Sequence, residues 1–374
     1  MADFVVVGAG VSGLTSSLTL AKAYPTKQIV VVAQNLPSDA QLPATYASAF
    51  AGANFMPMAD AANSRWERSS WPEFARLAQY VPEAGVVFRD VKLLGRHKDR
   101  DTATGQWFQT LMAPDPWFAT VVPGYRSLEP AEIPGGYDFG ATFQSICINV
   151  PLYLQWLVGQ CLQHGVNFRR QCLAHLNDAW TGPGVSSRTI VVNCTGLGAA
   201  TLGGVQDDRV VPSRGQILLV QNELIDPSTG EPGSMIVTSG SDDSPDELCY
   251  IMQRPAGGGT VVGGCYQAGC WNTEIDTNLT KRITNRARAM WPLGFDQTTH
   301  ANMTLDVVAQ AVGFRPVRKG GVRVEKQLLA RHNRWVVHNY GHGGWGYQGS
   351  YGCAEGVVEL ANEILETQGG IAKL

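Results

Sequence analysis

The chain has 374 residues, 44% of them hydrophobic and only 16% charged, with a formal net charge of -3. That is too apolar and too weakly charged for a disordered chain, and 29 basic against 32 acidic residues leave no electrostatic footprint for a nucleic-acid partner. At ~100–200 residues per domain the length points to about two domains, and 42 glycines, about 11% against a typical ~7%, ask for a cause. No apolar run reaches the roughly 18 residues of a membrane span, and MADFVVVGAG has no basic segment ahead of its apolar run, so neither a span nor a signal peptide is expected. A soluble intracellular protein is the expectation. The eight cysteines show no CxxC pairing and read as buried reduced thiols, with a disulfide among Cys249, Cys265 and Cys270 left open.

Residues 4–7 (FVVV) form a short β-branched run, as in a strand buried on both faces of a parallel sheet. Gly8-Ala9-Gly10-Val11-Ser12-Gly13 follows, then a helical pattern through Leu14, Leu18 and Ala21, then a second strand at 29–32 (IVVV). In that strand-turn-helix-strand setting G-x-G-x-x-G acquires a mechanism. The first glycine permits the turn, the second lets backbone approach a pyrophosphate, and the third lets helix pack on sheet, with the diphosphate at the helix N-terminus. The acidic residue expected at the end of the second strand is replaced by Ala33-Gln34-Asn35. Asn35 accepts a hydrogen bond without charge, so this position does not decide between adenosine cofactors.

Residues 43–57 are small and turn-rich, suited to backbone passing close to a ligand, and an inserted second domain begins near 61 with Trp66, Trp71, Trp107 and Trp117. Asn149 and Pro151 mark a helix start, with Leu152, Trp156, Leu157 and Cys161 as its buried face. A buried strand at 190–194 ends in Thr195-Gly196-Leu197-Gly198-Ala199, and ligands bind at such C-terminal strand ends in open α/β sheets. The segment 214–300 alternates strand-like stretches (QILLV, CYIM, TVVGGCY) suited to an antiparallel sheet. Loops 222–234 and 238–248 are candidate lids, the second acidic through Asp242, Asp243, Asp246 and Glu247. Residues 335–338 read as a strand running into a second glycine-rich turn at 339–350. A helix with Val357, Leu360, Ala361 and Ile364 at helical spacing follows, its positive end toward that loop. His338 and His342 stand in a turn rather than a helix, without HExxH, so no metal role is expected.

These pieces together resemble the D-amino acid oxidases, fungal-like flavoproteins of the glutathione-reductase-like FAD group. The likeness is carried by VVGAGVSGL at 6–14, FAGAN at 50–54, NCTG at 193–196, SRGQ at 213–216, YIMQRP from Tyr250, VVGGCY ending at Tyr266, GFRPVRKGGVRVE at 313–325 and HNYGHGGWGYQGSYG at 338–352. The resemblance implies an α/β protein with a discontinuous, Rossmann-like FAD-binding domain (1–60, 141–213 and 301–374). A substrate and interface domain of α+β type with a large antiparallel sheet would occupy 61–140 and 214–300.

It also implies non-covalent FAD held by Gly8, Ala9, Gly10, Val11, Ser12 and Gly13, by Asn35 and Ser48, and by Gly52, Ala53 and Asn54. Leu173, Thr195, Gly196 and Arg315 would complete that set together with Gly341, Gly343, Gly344, Trp345, Gly346, Tyr347 and Gln348. Tyr250, Tyr266 and Arg315 would be the catalytic residues, and Asn54 and Gly344 would line the substrate with them. A guanidinium matches a carboxylate as a planar fork, which gives Arg315 a chemical reason, whereas Arg318 and Arg323 read as surface arginines. The implied reaction is hydride transfer from a D-amino acid Cα to flavin N5, giving an imino acid that hydrolyses to a 2-oxo acid and ammonia, with O2 reduced to H2O2. No protein base is needed, and a tyrosine with pKa near ~10 would be a poor one.

The acidic loop beside Tyr250 would repel a second substrate carboxylate, so neutral or basic D-amino acids are the expected substrates. D-aspartate oxidase, a glycine- or sarcosine-type amine oxidase, and a non-catalytic flavin-binding protein are the alternatives. Ala372-Lys373-Leu374 resembles the peroxisomal address, which implies the import receptor as a partner and the peroxisomal matrix as location. No nucleic acid or membrane partner is expected, and a homodimer is compatible with the resemblance.

Overall fold

A computed structural model describes residues 1–226, 229–295 and 303–371. In chain order the strands are β1 (Ala2–Val7), β2 (Ile29–Ala33), β3 (Val86–Gly95), β4 (Arg126–Ser127), β5 (Phe139–Ile148), β6 (Asn167–Arg170), β7 (Val185–Asn193) and β8 (Val210–Val220). They continue as β9 (Met235–Thr238), β10 (Glu247–Gln253), β11 (Thr260–Cys265), β12 (Gln267–Ala268), β13 (Val307–Arg318), β14 (Arg323–Leu329) and β15 (Arg334–Tyr340). The α-helices are α1 (Val11–Ala23), α2 (Arg65–Tyr80), α3 (Ala103–Leu111), α4 (Val150–Gln163), α5 (Thr277–Met290) and α6 (Ser350–Ile371). Among the described residues no helix is long and apolar enough to cross a membrane.

The chain divides into two compact units. The first comprises Met1–Ala49, Pro151–Ser213 and Phe314–Leu374. Its six-stranded sheet has the order β14-β15-β7-β1-β2-β6, with β1 parallel to both neighbours: Val6 lies opposite Val31 on one side and Val192 on the other. Burial on both faces explains the uninterrupted apolar run, since Phe4, Val5 and Val6 are fully buried. Around α4 the buried positions are Tyr153, Leu154, Leu157 and Cys161, while Leu152 is 42% exposed, so the apolar face is turned by one residue from the sequence expectation. Tyr153 takes the place given to Leu152, stacking on Trp156 and donating its hydroxyl to Tyr351 Oη at 2.9 Å. An aromatic with a polar tip can be buried there because that tip finds a partner.

The second unit comprises Phe50–Val150 and Arg214–Gly313. Its sheet is nine-stranded, ordered β12-β8-β11-β10-β9-β3-β5-β4 with β13 beside β8. The β8–β11, β11–β10, β10–β9, β3–β5 and β5–β4 pairs are antiparallel, whereas β3 and β9 pair in parallel. One face is closed by α5, whose Leu279, Ile283, Ala287 and Met290 are buried against Leu218, Ile251 and Val262. Asp276 caps that helix by accepting from the Asn278 and Leu279 N–H groups.

The division differs from the sequence-based one at residues 50–60, 141–150 and 303–313, which fold with the second unit. β5 pairs with β3 along its whole length and Asn54 bridges Cys147, which takes the first two segments with the antiparallel sheet. The third follows because the Asp306 N–H donates to Asn222 Oδ1 and Thr280 donates to Gln310. All eight cysteines are free, Cys249, Cys265 and Cys270 included. Burial pushes the thiols of Cys147, Cys161, Cys194 and Cys249 up to about 12.

Candidate active site

In the first unit the glycine turn stands at the C-terminal end of β1. Gly8 has φ +110, and a Cβ there would lie 2.5 Å from the Cys194 carbonyl oxygen; a Cβ on Gly13 would lie 2.0 Å from the Gly8 carbonyl oxygen. The turn therefore closes only without side chains at these points, leaving the start of α1 with no side-chain cap at Gly10. Ser48 arches over this end. Its Oγ accepts from the Val11 N–H at 3.0 Å, and its carbonyl accepts from the Tyr347 hydroxyl at 2.7 Å. Tyr46 donates to the Ala9 carbonyl.

The second glycine turn is bound to the first through His342. Its Nδ1 accepts from Ser12 Oγ at 3.3 Å and its Nε2 donates to Asn339 Oδ1 at 3.1 Å, while Asn339 Nδ2 donates to Ser16. Burial drives the His342 pKa down to about 4, so it serves as a neutral Nε2–H imidazole. His338 is similar, bonded to Gln327 and Asn193 and lowered to about 3, first by burial and then by the Arg323 charge. Asn193 Oδ1 in turn accepts from both the N–H and the hydroxyl of Thr195, fixing the Thr195-Gly196 corner. Pro316, next to half-buried Arg315, passes 3.9 Å from where a Gly196 Cβ would stand. The first unit thus assembles the 8–13 turn, Ser48, Thr195-Gly196, the segment carrying Arg315 and the 341–348 turn. Tyr347 and Gln348 are buried there and Gly344 is exposed.

At the far end of β2, Asn35 and Leu173 are half-buried, and the Gln171 N–H donates to the Ala33 carbonyl. Arg170 donates to Asp39 at 2.8 Å and to the Gln34 carbonyl at 3.0 Å, and this pairing holds the Asp39 carboxyl well below its usual range. A carboxylate does stand near this strand end, four residues later than the pattern of such turns predicts.

In the second unit β10 and β11 carry the two tyrosines. Tyr250 lies opposite Gly263, and its ring covers that position so closely that a Cβ on Gly263 would meet Tyr250 Cζ at 2.2 Å and one on Gly264 would meet its hydroxyl at 2.5 Å. Tyr266 follows β11, half-buried, with its N–H donating to the Asp246 carbonyl. The 51–54 loop is held to the same strand. Arg254 donates to the carbonyls of Ala51 and Gly52 at 2.8 and 2.9 Å, Met252 Sδ lies against Gly52, and Ala53 accepts from the Ile148 N–H. Asn54 Nδ2 is buried without a hydrogen-bond partner among the described residues, a donor left open for a ligand.

The acidic loop differs from its sequence reading. Asp242 pairs with Arg96 and Lys98, Asp243 with Arg286, and Glu247 with Arg282 and Arg286. Four cations face three of the four acids, while Asp246 accepts from the Ser244 hydroxyl, so the loop is a strap bolted to α5 and to the 96–98 segment rather than a field of free negative charge. The candidate lid at 222–234 lies partly outside the described residues, at 227–228. Arg318 and Arg323 are also not surface residues: their side chains are 8% and 16% exposed. Arg318 Nε donates to Asp207 at 2.7 Å, and Asp207, unnoticed in the sequence, also accepts from the Tyr340 hydroxyl at 2.9 Å.

Residues 3–360 match the family described as FAD dependent oxidoreductase. The chain is 44% identical over 364 residues to the D-amino-acid oxidase of Fusarium vanettenii, covering 96% of both chains. The chain belongs to the FAD-dependent D-amino-acid oxidase family. The Schizosaccharomyces pombe D-amino-acid oxidase is 33% identical, again over 96% of both chains. Glycine oxidase from Geobacillus kaustophilus shares the fold with a TM-score of 0.69 at 16% identity, covering 96% of this chain and 94% of that one. In the first unit the residues fit a dinucleotide flavin: the turn closes tightly only with glycine at 8 and 13, and the start of α1 carries no side-chain cap at Gly10. FAD is the non-covalently held cofactor of the family.

Proposed function

We propose that the protein oxidatively deaminates neutral or basic D-amino acids. What carries this reading is identity with fungal D-amino-acid oxidases from end to end, 44% over 96% of both chains. With three of its four acids paired, the loop no longer supports the preference for neutral or basic side chains by repulsion, and that preference rests on D-amino-acid oxidases being 44% and 33% identical to the chain, against 29% and 31% for D-aspartate oxidases.

FAD, when bound, would supply the redox chemistry, taking up the substrate's Cα hydride with O2 as the final acceptor and H2O2 as its product. The protein binds and orients. Arg315 takes the substrate carboxylate as a bidentate fork, and Tyr250 and Tyr266 direct their hydroxyls to the same carboxylate and the amine. Asn54 offers its unpaired Nδ2, and Gly344 brings no side chain to its exposed loop position. The remaining cofactor contacts run through Gly8 to Gly13, Asn35, Ser48, Gly52, Ala53, Leu173, Thr195, Gly196 and the 341–348 turn. The N-terminal end of α6, beginning at Ser350 behind that turn, favours negative charge there. No side chain is required to take a proton from Cα.

The product imino acid hydrolyses to a 2-oxo acid and ammonia. Import into peroxisomes through Ala372-Lys373-Leu374 belongs to the same proposal, supported by the peroxide chemistry; these residues lie outside the described ones. An anaerobic flavin-bleaching series with D- and L-amino acids tests the reading. Bleaching by D-alanine-type substrates is expected; bleaching by none overturns it in favour of a non-catalytic flavoprotein, and faster bleaching by D-aspartate overturns the side-chain preference.

A further inference from the structure

Arg315 stands near the end of β13, three residues before Arg318. This end of the strand reaches the second glycine turn in two ways. Val317 bridges His342, and Gly341 (φ +92) lets the Arg318 side chain pass, since a Cβ there would be 2.7 Å from Arg318 Cβ. Behind both lies Asp207, with a side chain only 5% exposed. Its Oδ2 accepts from Arg318 Nε on β13 and from the Tyr340 hydroxyl at the end of β15, and its Oδ1 accepts from the Arg209 N–H at 3.1 Å. Tyr340 is itself a relay, accepting from Arg323 at 2.8 Å. The Lys319 N–H donates to the Arg209 carbonyl at 2.9 Å, a second stitch between the same two segments. The buried carboxylate thus ties the strand bearing the proposed carboxylate anchor to the strand that leads into the cofactor turn.

We infer that Asp207 is a positioning residue for substrate binding: by clamping Arg318 and Tyr340 together it fixes where Arg315 stands relative to the 341–348 turn. The inference rests on the role proposed for Arg315. A buried ion pair is weak evidence for stability but good evidence for a specified geometry, because each charge is costly unless the other stays in place. Without the clamp, Arg318 keeps its charge in a buried setting only three residues from the anchor. The strand end then has reason to shift and Arg318 to compete for the substrate carboxylate. Burial alone would raise the Asp207 pKa, but the hydrogen bonds from Arg318, Tyr340 and Arg209 outweigh it and hold it at about 2, so the clamp is ionised throughout the working range.

The test uses the FAD-loaded full chain. Asp207→Asn, which keeps shape and removes charge, is expected to raise KM for a neutral D-amino acid about tenfold. It should weaken binding of a plain carboxylate such as benzoate by a similar factor, with kcat within about twofold and the FAD dissociation constant unchanged; Asp207→Glu should recover part of the loss. If Asp207 acts through Arg318, the Asn variant should add little to KM in an Arg318→Gln background. A KM that does not move, or an equal fall of kcat and FAD affinity with a lower Tm, overturns the inference. Arg315→Lys, run in parallel, separates the two failures. If it leaves KM unchanged the role of Arg315 is wrong, whereas if it raises KM and Asp207→Asn does not, only the clamp is wrong.

Discussion

The two glycine-rich turns of the first unit share a pattern in sequence but obey different neighbours. At 8–13 the missing side chains make room for backbone: the Cys194 carbonyl faces Gly8 and the Gly8 carbonyl faces Gly13. At 341–349 they make room for side chains, with Arg318 against Gly341 and the Trp345 ring against Gly349. Backbone cannot step aside, whereas a ring or an alkyl stem can. The first turn is therefore a fixed steric requirement of the fold, and the second a fitted surface whose shape depends on what packs behind it.

The largest effect should come from the rigid turn. Gly13→Ala is expected to abolish FAD retention, seen as a protein that purifies without flavin absorbance; normal flavin content would erase the distinction between the turns. Next, Arg315→Ala should keep FAD and raise KM steeply, with loss of one partner of a bidentate charge pair costing ~2–5 kcal/mol; unchanged kinetics would refute the anchor. Gly349→Ala should be milder, ~1–3 kcal/mol of stability as Trp345 is displaced, with flavin still bound, read by thermal melting. The acid limb of stability should report the second turn. His338 and His342 are held neutral when folded, with pKa values lowered to about 3 and about 4, against ~6.5 unfolded. Their contribution is complete above ~6.5 and lost as pH falls from there toward 4, because the unfolded chain binds the protons first. Denaturant midpoints should fall across that window, and His342→Asn should flatten the slope. Smallest of all, Tyr250→Phe should keep most of its turnover, since no proton is taken; a folded, flavin-loaded and inactive variant would speak for a base.

What could be read from the sequence follows the same division. The strand, turn, helix and strand over the first 33 residues were legible because every requirement is local and imposed by backbone. Asp276 and the spacing of Leu279, Ile283, Ala287 and Met290 announce α5, but the strand-like alternation around it masks that signal. The burial of Arg318 could not be read at all. It depends on Asp207, 111 positions earlier and in an otherwise ordinary Gln206-Asp207-Asp208 turn. The charge of the acidic loop is legible in the sequence and the pairing of three of its four acids is not, since Arg282 and Arg286 reach it from α5.

The deeply buried cysteines have a chemical consequence for an enzyme whose own turnover releases peroxide. Peroxide attacks the thiolate, and a thiol raised to about 12 is ionised only on the order of once in 10⁵ at neutral pH, so Cys147, Cys161, Cys194 and Cys249 are nearly inert to it. Cys172 is exposed and Cys270 half-buried, so both are open to peroxide in solution. Wear during catalysis should therefore begin at these two positions, outside the core, and the enzyme can accumulate sulfenic acid on its surface while its interior stays reduced.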